Sequence, residues 1–93
     1  MKIGLLQIAL QVPQANSLKQ KRRPLQSLKA QIHNKFNVSI AEVDSHDLWQ
    51  RIDLAVALVA TDAAHIDRVF SEVMKLIARQ SELVILEQSQ QLL

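Results

Sequence analysis

Several residue types that build common functional sites are missing or scarce in this chain of 93 residues. Cysteine is absent, which excludes disulfides and thiolate metal sites. Gly4 is the single glycine, so no glycine-rich loop can cradle a phosphate. No apolar run reaches the roughly 18 residues that a membrane-spanning helix needs. We therefore expect no cofactor, no small-molecule substrate and no membrane partner, and we predict that the protein is not an enzyme.

Histidine is also rare, and its spacing does not favour catalysis or metal binding. None of the three histidines, His33, His46 and His65, is followed at i+4 by a His, Cys, Asp or Glu, and no HExxH pattern occurs. Asp44, His46 and Asp47 could converge on a cation in a turn. The alternative is a set of local turn hydrogen bonds, which such residues often make. We favour the turn and predict no metal site.

Acidic residues are missing from the first 35 positions, which hold seven basic residues. Residues 36–93 hold four basic residues and all nine acidic ones. This asymmetry predicts a positive surface on an otherwise negative molecule, and it favours a polyanionic partner. Glutamines interrupt the apolar stretch at the amino terminus, which argues against a signal peptide and predicts a cytoplasmic protein.

The first strand and helix are predicted from their periodicity. Residues 2–12 alternate as a strand, with a phase change at Leu5–Leu6 that indicates either a bulge or burial on both faces. Ser17 and Gln20 form a capping-box pattern at the start of a helix. Pro24 conflicts with a regular helix. The apolar stripe keeps its phase across Pro24, so we predict one kinked helix.

The remaining periodicity predicts four further elements. These are a strand over 36–43, a strand over 49–61, a helix that follows the N-cap Asp62, and a strand over 82–87 with a polar tail over 88–93. The order β-α-β-β-α-β predicts an α+β, ferredoxin-like sandwich that occupies residues 1–93 as a single domain. Right-handed crossovers place two helices on one face of a four-stranded antiparallel sheet of order 4-1-3-2.

Four stretches carry a resemblance to a known family: "SLKQKRR" at 17–23, "FNVSIAEV" at 36–43, "HDLWQR" at 46–51 and "LAVALVATD" at 54–62. In these stretches the chain resembles the YlxP-like family of small bacterial proteins. The resemblance implies a ferredoxin-like fold and brings no established activity or catalytic residue. Members are commonly encoded beside translation and ribosome-maturation factors, which suggests a role around RNA or the ribosome. Gln20 stands where an acid is usual, so this helix start is more basic than that of its relatives.

The start of the first helix is the main candidate binding site. The candidate nucleic-acid contacts are Lys19, Lys21, Arg22, Arg23 and Lys29. At about 100° per residue, most of them fall on one flank of the helix, and Lys21 overhangs the apolar edge. Positive charge opposes the dipole at a helix N-terminus, which suggests a use other than helix stability. We predict phosphate contacts to ribosomal RNA or a ribosome assembly intermediate. The alternative is a solvated basic face that partly contacts Glu42, Asp44 or Asp47.

The open face of the predicted sheet is the second candidate site. Its side chains are small or polar: Gln7, Ala9, Gln11, Ala55, Ala57 and Val59. Such a smooth, partly apolar face would suit a homodimer interface. It carries no aromatic residue, because Phe36 and Phe70 lie on helical core stripes, and base stacking as in an RNA-recognition motif is therefore not expected.

Trp49 and Arg51 form a third candidate at the entrance to a strand. Packing of Trp49, with its indole N–H on a carbonyl, is the favoured interpretation. The alternative is an exposed contact that anchors a partner beside Arg51. A ligand-sensing regulatory domain is a further class, and the lack of a glycine-rich loop argues against it.

Overall fold

The computed structural model describes all of residues 1–93 and has the predicted order of elements. These are β1 (Lys2–Gln11), α1 (Leu18–Lys35), β2 (Ser39–Asp44), β3 (Arg51–Ala60), α2 (Ala63–Ala78) and β4 (Val84–Leu92). The strands form one antiparallel sheet in the order β2-β3-β1-β4. This is the predicted order counted from the other edge, so the ferredoxin-like α+β fold is confirmed.

Both helices pack on one face of the sheet, because alternate strand residues and the helix stripes are apolar. The core contains 18 buried hydrophobic residues from β1, β3, both helices and the adjoining loops. β1 and α2 approach closely at Gly4, where a Cβ atom would lie 2.5 Å from Cγ2 of Ile66 and 3.0 Å from the ring of Phe70. The single glycine therefore permits close helix–sheet packing. Neither helix is long and apolar enough to cross a membrane.

Helix α1 begins as predicted at the N-cap Ser17, whose Oγ accepts a hydrogen bond from Gln20 N at 3.1 Å. The side chain of Gln20 reaches back to the N–H of Asn16 at 2.6 Å, one residue earlier than in a standard capping box. The helix continues through Pro24, with buried side chains at spacing i, i+4, i+7 and i+11 on both sides of it. The prediction of one continuous helix is therefore confirmed, and the kink at Pro24 stays a prediction.

Strand β4 corrects the predicted boundary at the carboxyl end of the chain. The residues predicted as a polar tail continue β4 and pair with β1 as far as Leu92 opposite Gly4. Sheet hydrogen bonds come from the backbone, so an edge strand can carry polar side chains on both faces. The alternation pattern was therefore a poor guide here, because little of this strand is buried.

The phase change at Leu5–Leu6 reflects burial on both faces. The pairing of β1 with β3 is continuous from Lys2 to Gln11, which excludes a bulge between these strands at Leu5. Leu6 is buried under the helices, and Leu5 is half-buried on the opposite face. The register shifts occur elsewhere, in the pairing of β1 with β4 beyond Ala9 and in the pairing of β2 with β3.

Candidate functional site

Four of the five predicted phosphate contacts remain accessible on α1. Lys19, Arg22 and Arg23 are exposed, and Lys29 is half-buried. Arg23 makes the only ion pair of the four, with Nη2 3.3 Å from Oε1 of Glu82. Both partners are solvent-exposed, so this pair contributes little to stability. We call Lys19, Arg22, Arg23 and Lys29 the basic flank, and α1 carries no acidic residue to oppose it.

Lys21 does not belong to this surface, and its predicted phosphate contact is wrong. Only 1% of the residue is exposed. Its Nζ donates a 2.7 Å hydrogen bond to the carbonyl of Ser45 and lies 2.9 Å from Oε2 of Glu42. The approach to Glu42 has the distance of an ion pair, although its angle lies outside that of a hydrogen bond. Lys21 therefore pairs with Glu42, which is one of the three intramolecular partners named in the alternative interpretation of the basic residues.

The sequence contained a signal for this burial. Lys21 lies four residues before Leu25, on the same face as Leu28 and Ile32, which are all buried. Its position within the apolar stripe predicts an inward side chain, whereas the charge of the neighbouring residues suggested an outward one. A buried lysine needs an anionic or carbonyl partner, and Glu42 and Ser45 supply both.

Ser45 connects the two faces of the sheet. Its backbone has a φ of 59°, in the left-handed region that non-glycine residues rarely occupy. Its carbonyl accepts from Lys21 on the helix side, and its Oγ donates to Oδ2 of Asp53. Its N–H donates to Oδ1 of Asp44 at 2.7 Å. The loop between β2 and β3 is therefore held from both sides of the sheet.

Arg51 and Asp53 form a two-point ion pair on the open face. Nε of Arg51 lies 2.9 Å from Oδ2 of Asp53, and Nη2 lies 3.1 Å from Oδ1. The hydrogen bond from Arg51, assisted by the one from Ser45, lowers the pKa of Asp53 despite opposition from partial burial. The same hydrogen bond raises the pKa of Arg51. This arginine is neutralised locally and held in a fixed orientation.

The open face is only partly available as the predicted interface. Gln7 and Val59 are exposed, Val59 at 62%, and Ala55, Ala57 and Gln11 are half-buried. Ala9 is 5% exposed, so its assignment to an accessible interface is wrong. It pairs with Asp53 on one side and Glu87 on the other, and both of these neighbours have longer side chains.

Trp49 is exposed rather than packed, contrary to the favoured interpretation. More than half of the residue, 54%, is accessible, and its indole N–H has no hydrogen-bond partner in the chain. It lines a groove of about 540 Å³ at one end of the open face. The groove is lined by Gln11, Asp47, Leu48, Trp49, Gln50, Arg51 and Leu86. Leu48 and Leu86 were not expected there, because neither has a distinguishing pattern in the sequence.

The turn that contains Asp44, His46 and Asp47 is organised by local hydrogen bonds. Nε2 of His46 lies 3.0 Å from the carbonyl oxygen of Glu42, and Oδ1 of Asp44 accepts from Ser45. No group of three or more His, Asp or Glu side chains is arranged to hold a metal ion.

The fold and these surfaces define a ferredoxin-like α+β protein with a basic helix flank and an open sheet face. Residues 3–90 match the family described as "Protein of unknown function (DUF503)". The chain is similar to "Uncharacterized protein YlxP" of Bacillus subtilis (strain 168), with 33% identity over 75 residues that cover 81% of this chain and 82% of that protein. The chain therefore belongs to the DUF503 family, and the YlxP-like resemblance is confirmed.

Proposed function

We propose that this protein is a non-enzymatic accessory protein that binds RNA through the basic flank. Ribosomal RNA or a ribosome assembly intermediate is the proposed partner. The observation that carries the proposal is the set of four accessible cations on one helix without an acid, three of which have no ion-pair partner. Cations left unpaired in the chain are available to phosphates.

The continuity of α1 supports a single contact surface. Arg22 and Lys29 are seven residues apart, which is two turns and about 10.5 Å along a helix axis. They leave the helix on nearly the same side, and the helix is continuous through Pro24 between them. A phosphate backbone can therefore contact both residues, and such contacts would position the protein without reading the base sequence.

Charge neutralisation tests this proposal against a matched control. Arg22→Gln with Lys29→Gln removes two charges from the basic flank, whereas Arg68→Gln with Arg79→Gln removes two exposed charges from the region of α2. We expect the first variant to bind a ribosomal RNA fragment at least tenfold more weakly in a filter-binding assay. We expect the control to retain most of the affinity.

The salt dependence provides a second readout. For single strands, log K falls with log salt by about 0.7 per phosphate contact. Removal of two contacts should therefore make the slope shallower by about 1.4. A binding affinity that does not fall with added salt, or that falls equally in both double variants, would contradict the proposal.

A second candidate function is supported by the exposed apolar side chains on the open face. In this alternative the protein is a homodimeric interaction module that does not bind nucleic acid. Val59 is 62% exposed, and it lies on the same face as the small side chain of Ala57 two residues earlier. Two copies that pack through the end of the open face that carries Val59 would bury both Val59 and Ala57.

Light scattering tests the second candidate. The wild-type protein should have twice the chain mass, and Val59→Arg should restore the monomer because it places an unpaired charge in the interface. A wild-type monomer at high protein concentration would contradict this function. The two functions are compatible, since a dimer would double the basic surface.

A further inference from the structure

The groove around Trp49 lies at the same end of the molecule as the start of the basic flank. The side chain of Gln50, next to Trp49, donates to the carbonyls of Pro13 and Ala15 at 3.3 and 3.1 Å. These carbonyls belong to the loop that leads into Ser17, the cap of α1. This loop therefore links the groove on the open face to the first turn of the basic helix on the other face of the sheet.

The loop that carries the exposed Trp49 is anchored near both of its ends. At one end of its loop, the carbonyl of Ser45 accepts the buried ammonium of Lys21. At the other end, the carbonyl of Gln50 accepts from the N–H of Val12 at 2.8 Å. Because the loop is already ordered, a ligand that binds Trp49 restricts only the two side-chain torsions of the indole and does not have to order the backbone. Exposure on an anchored loop is typical of a contact residue.

The groove has the chemistry of a site for a flat, partly polar ring. The indole of Trp49 lines the groove together with the apolar side chains of Leu48 and Leu86. Gln11 and Asp47 contribute polar lining, and the amide of Gln11 makes no hydrogen bond within the chain. Arg51 lies beside it with its guanidinium oriented by Asp53. A nucleobase needs this combination of a stacking face and edge donors or acceptors.

We propose that Trp49 stacks an unpaired base of the same RNA strand whose phosphates contact the basic flank. This inference rests on the proposed function and specifies its ligand as single-stranded. A base within a duplex has no free face, so a fully paired RNA could use the flank and not the groove. A protein side chain would also fit the apolar lining, but the basic flank, three of whose four cations have no ion-pair partner, complements a polyanion.

The fluorescence of the protein isolates this groove, because Trp49 is the only tryptophan and the chain has no tyrosine. Three probes are titrated: a single-stranded oligoribonucleotide of mixed sequence, a fully paired RNA duplex, and heparin, which is a polyanion without bases. We expect all three to bind the flank in a competition assay. Only the single strand should quench the emission of Trp49.

Substitution of Trp49 measures the contribution of stacking. Trp49→Leu should weaken binding of the single strand by about 5- to 150-fold, the range corresponding to one base on an aromatic platform. Its affinity for the duplex and for heparin should stay within twofold of wild type. Trp49→Phe should recover most of the loss. Leu93→Ser, which alters an exposed apolar residue beside Ile3 at the far end of the sheet, is the matched control and should bind like wild type.

Three results would overturn the inference. One is that Trp49→Leu binds the single strand with unchanged affinity while the double variant Arg22→Gln with Lys29→Gln loses affinity. In that case the proposed function survives and the groove has another role. A second is equal quenching by heparin or the duplex. A third is a change in emission with protein concentration alone, which would make the groove an interface between copies. Failure of wild-type protein to bind any of the probes would instead reject the proposed function itself.

Discussion

Lys21 and Arg22 are neighbours in the sequence, yet their side chains have opposite environments. Arg22 is exposed on the basic flank, and Lys21 is buried between α1 and the loop after β2. The step of about 100° between adjacent residues of a helix is sufficient to move a side chain from solvent to core. A buried cation of this kind fixes geometry, because it is tolerated only where partners such as Glu42 and Ser45 lie within reach.

We predict that Lys21→Met lowers the free energy of unfolding by about 3 kcal/mol, because it leaves the carboxylate of Glu42 and a carbonyl without their partner. Urea unfolding measures this loss. Combining Lys21→Met with Glu42→Gln should cost less than the sum of the single changes, since the double variant leaves no unpaired charge. The exposed Lys19→Met is the control and should change stability by less than about 0.5 kcal/mol. A similar loss in both lysine variants would show that the buried contacts of Lys21 contribute nothing.

At the scale of the elements, α1 and α2 are set against the sheet in different ways. Helix α1 places a lysine in its buried stripe and meets the loop after β2 through polar contacts. Helix α2 has an entirely apolar buried stripe and meets β1 where Gly4 removes a side chain. The depth at which α2 packs therefore depends on one missing methyl group.

We predict that Gly4→Ala destabilises the protein by about 1–3 kcal/mol, which is the usual cost of overpacking a core. The added Cβ would lie 2.5 Å from Cγ2 of Ile66, and one of the two elements must move. Thermal unfolding measures the loss. Ile66→Ala should cost less in the Gly4→Ala background than in the wild type, because the smaller side chain makes room for the methyl group. Additive costs would contradict this account of the contact.

At the scale of the whole molecule, the uneven charge of the sequence is partly compensated within the fold. Lys21 and Arg23 pair with Glu42 and Glu82 from the acidic part of the chain. A connected set of polar groups crosses the sheet from Lys21 through Ser45 to Asp53 and Arg51. This network joins the helix layer to the open face, so the protonation of Asp53 affects the stability of the domain.

We predict that acid weakens the fold through Asp53. Its pKa is lower in the folded chain than in the unfolded chain, so its contribution is fully present above the unfolded value and is lost as the pH falls below about 4 and through the folded value. Asp53→Asn should be less stable than wild type at pH 7 and should approach it at low pH. Urea unfolding between pH 7 and pH 2 measures both curves. Parallel curves would show that the pairing of Asp53 is energetically unimportant.

The order of the elements, both helix caps and the core stripes follow from the sequence alone. Hydrophobic spacing and the hydrogen-bonding capacity of Ser17 and Asp62 are local properties, and local properties decide helices and strands. The family can also be inferred from the sequence, because the four stretches that carry the resemblance need no coordinates to be matched. The extent of β4 is different, since its polar half is a strand only because β1 offers a backbone to pair with.

The candidate site depends on tertiary structure to a greater degree. The sequence placed five basic residues at one helix start, and packing decided that Lys21 is buried while the other four remain available. The sequence did not determine whether Trp49 is exposed, because exposure depends on how the loop is anchored to Lys21 and Val12. Periodicity reports the average direction of a side chain, whereas contacts between distant segments decide what covers it, and only the folded chain brings those segments together.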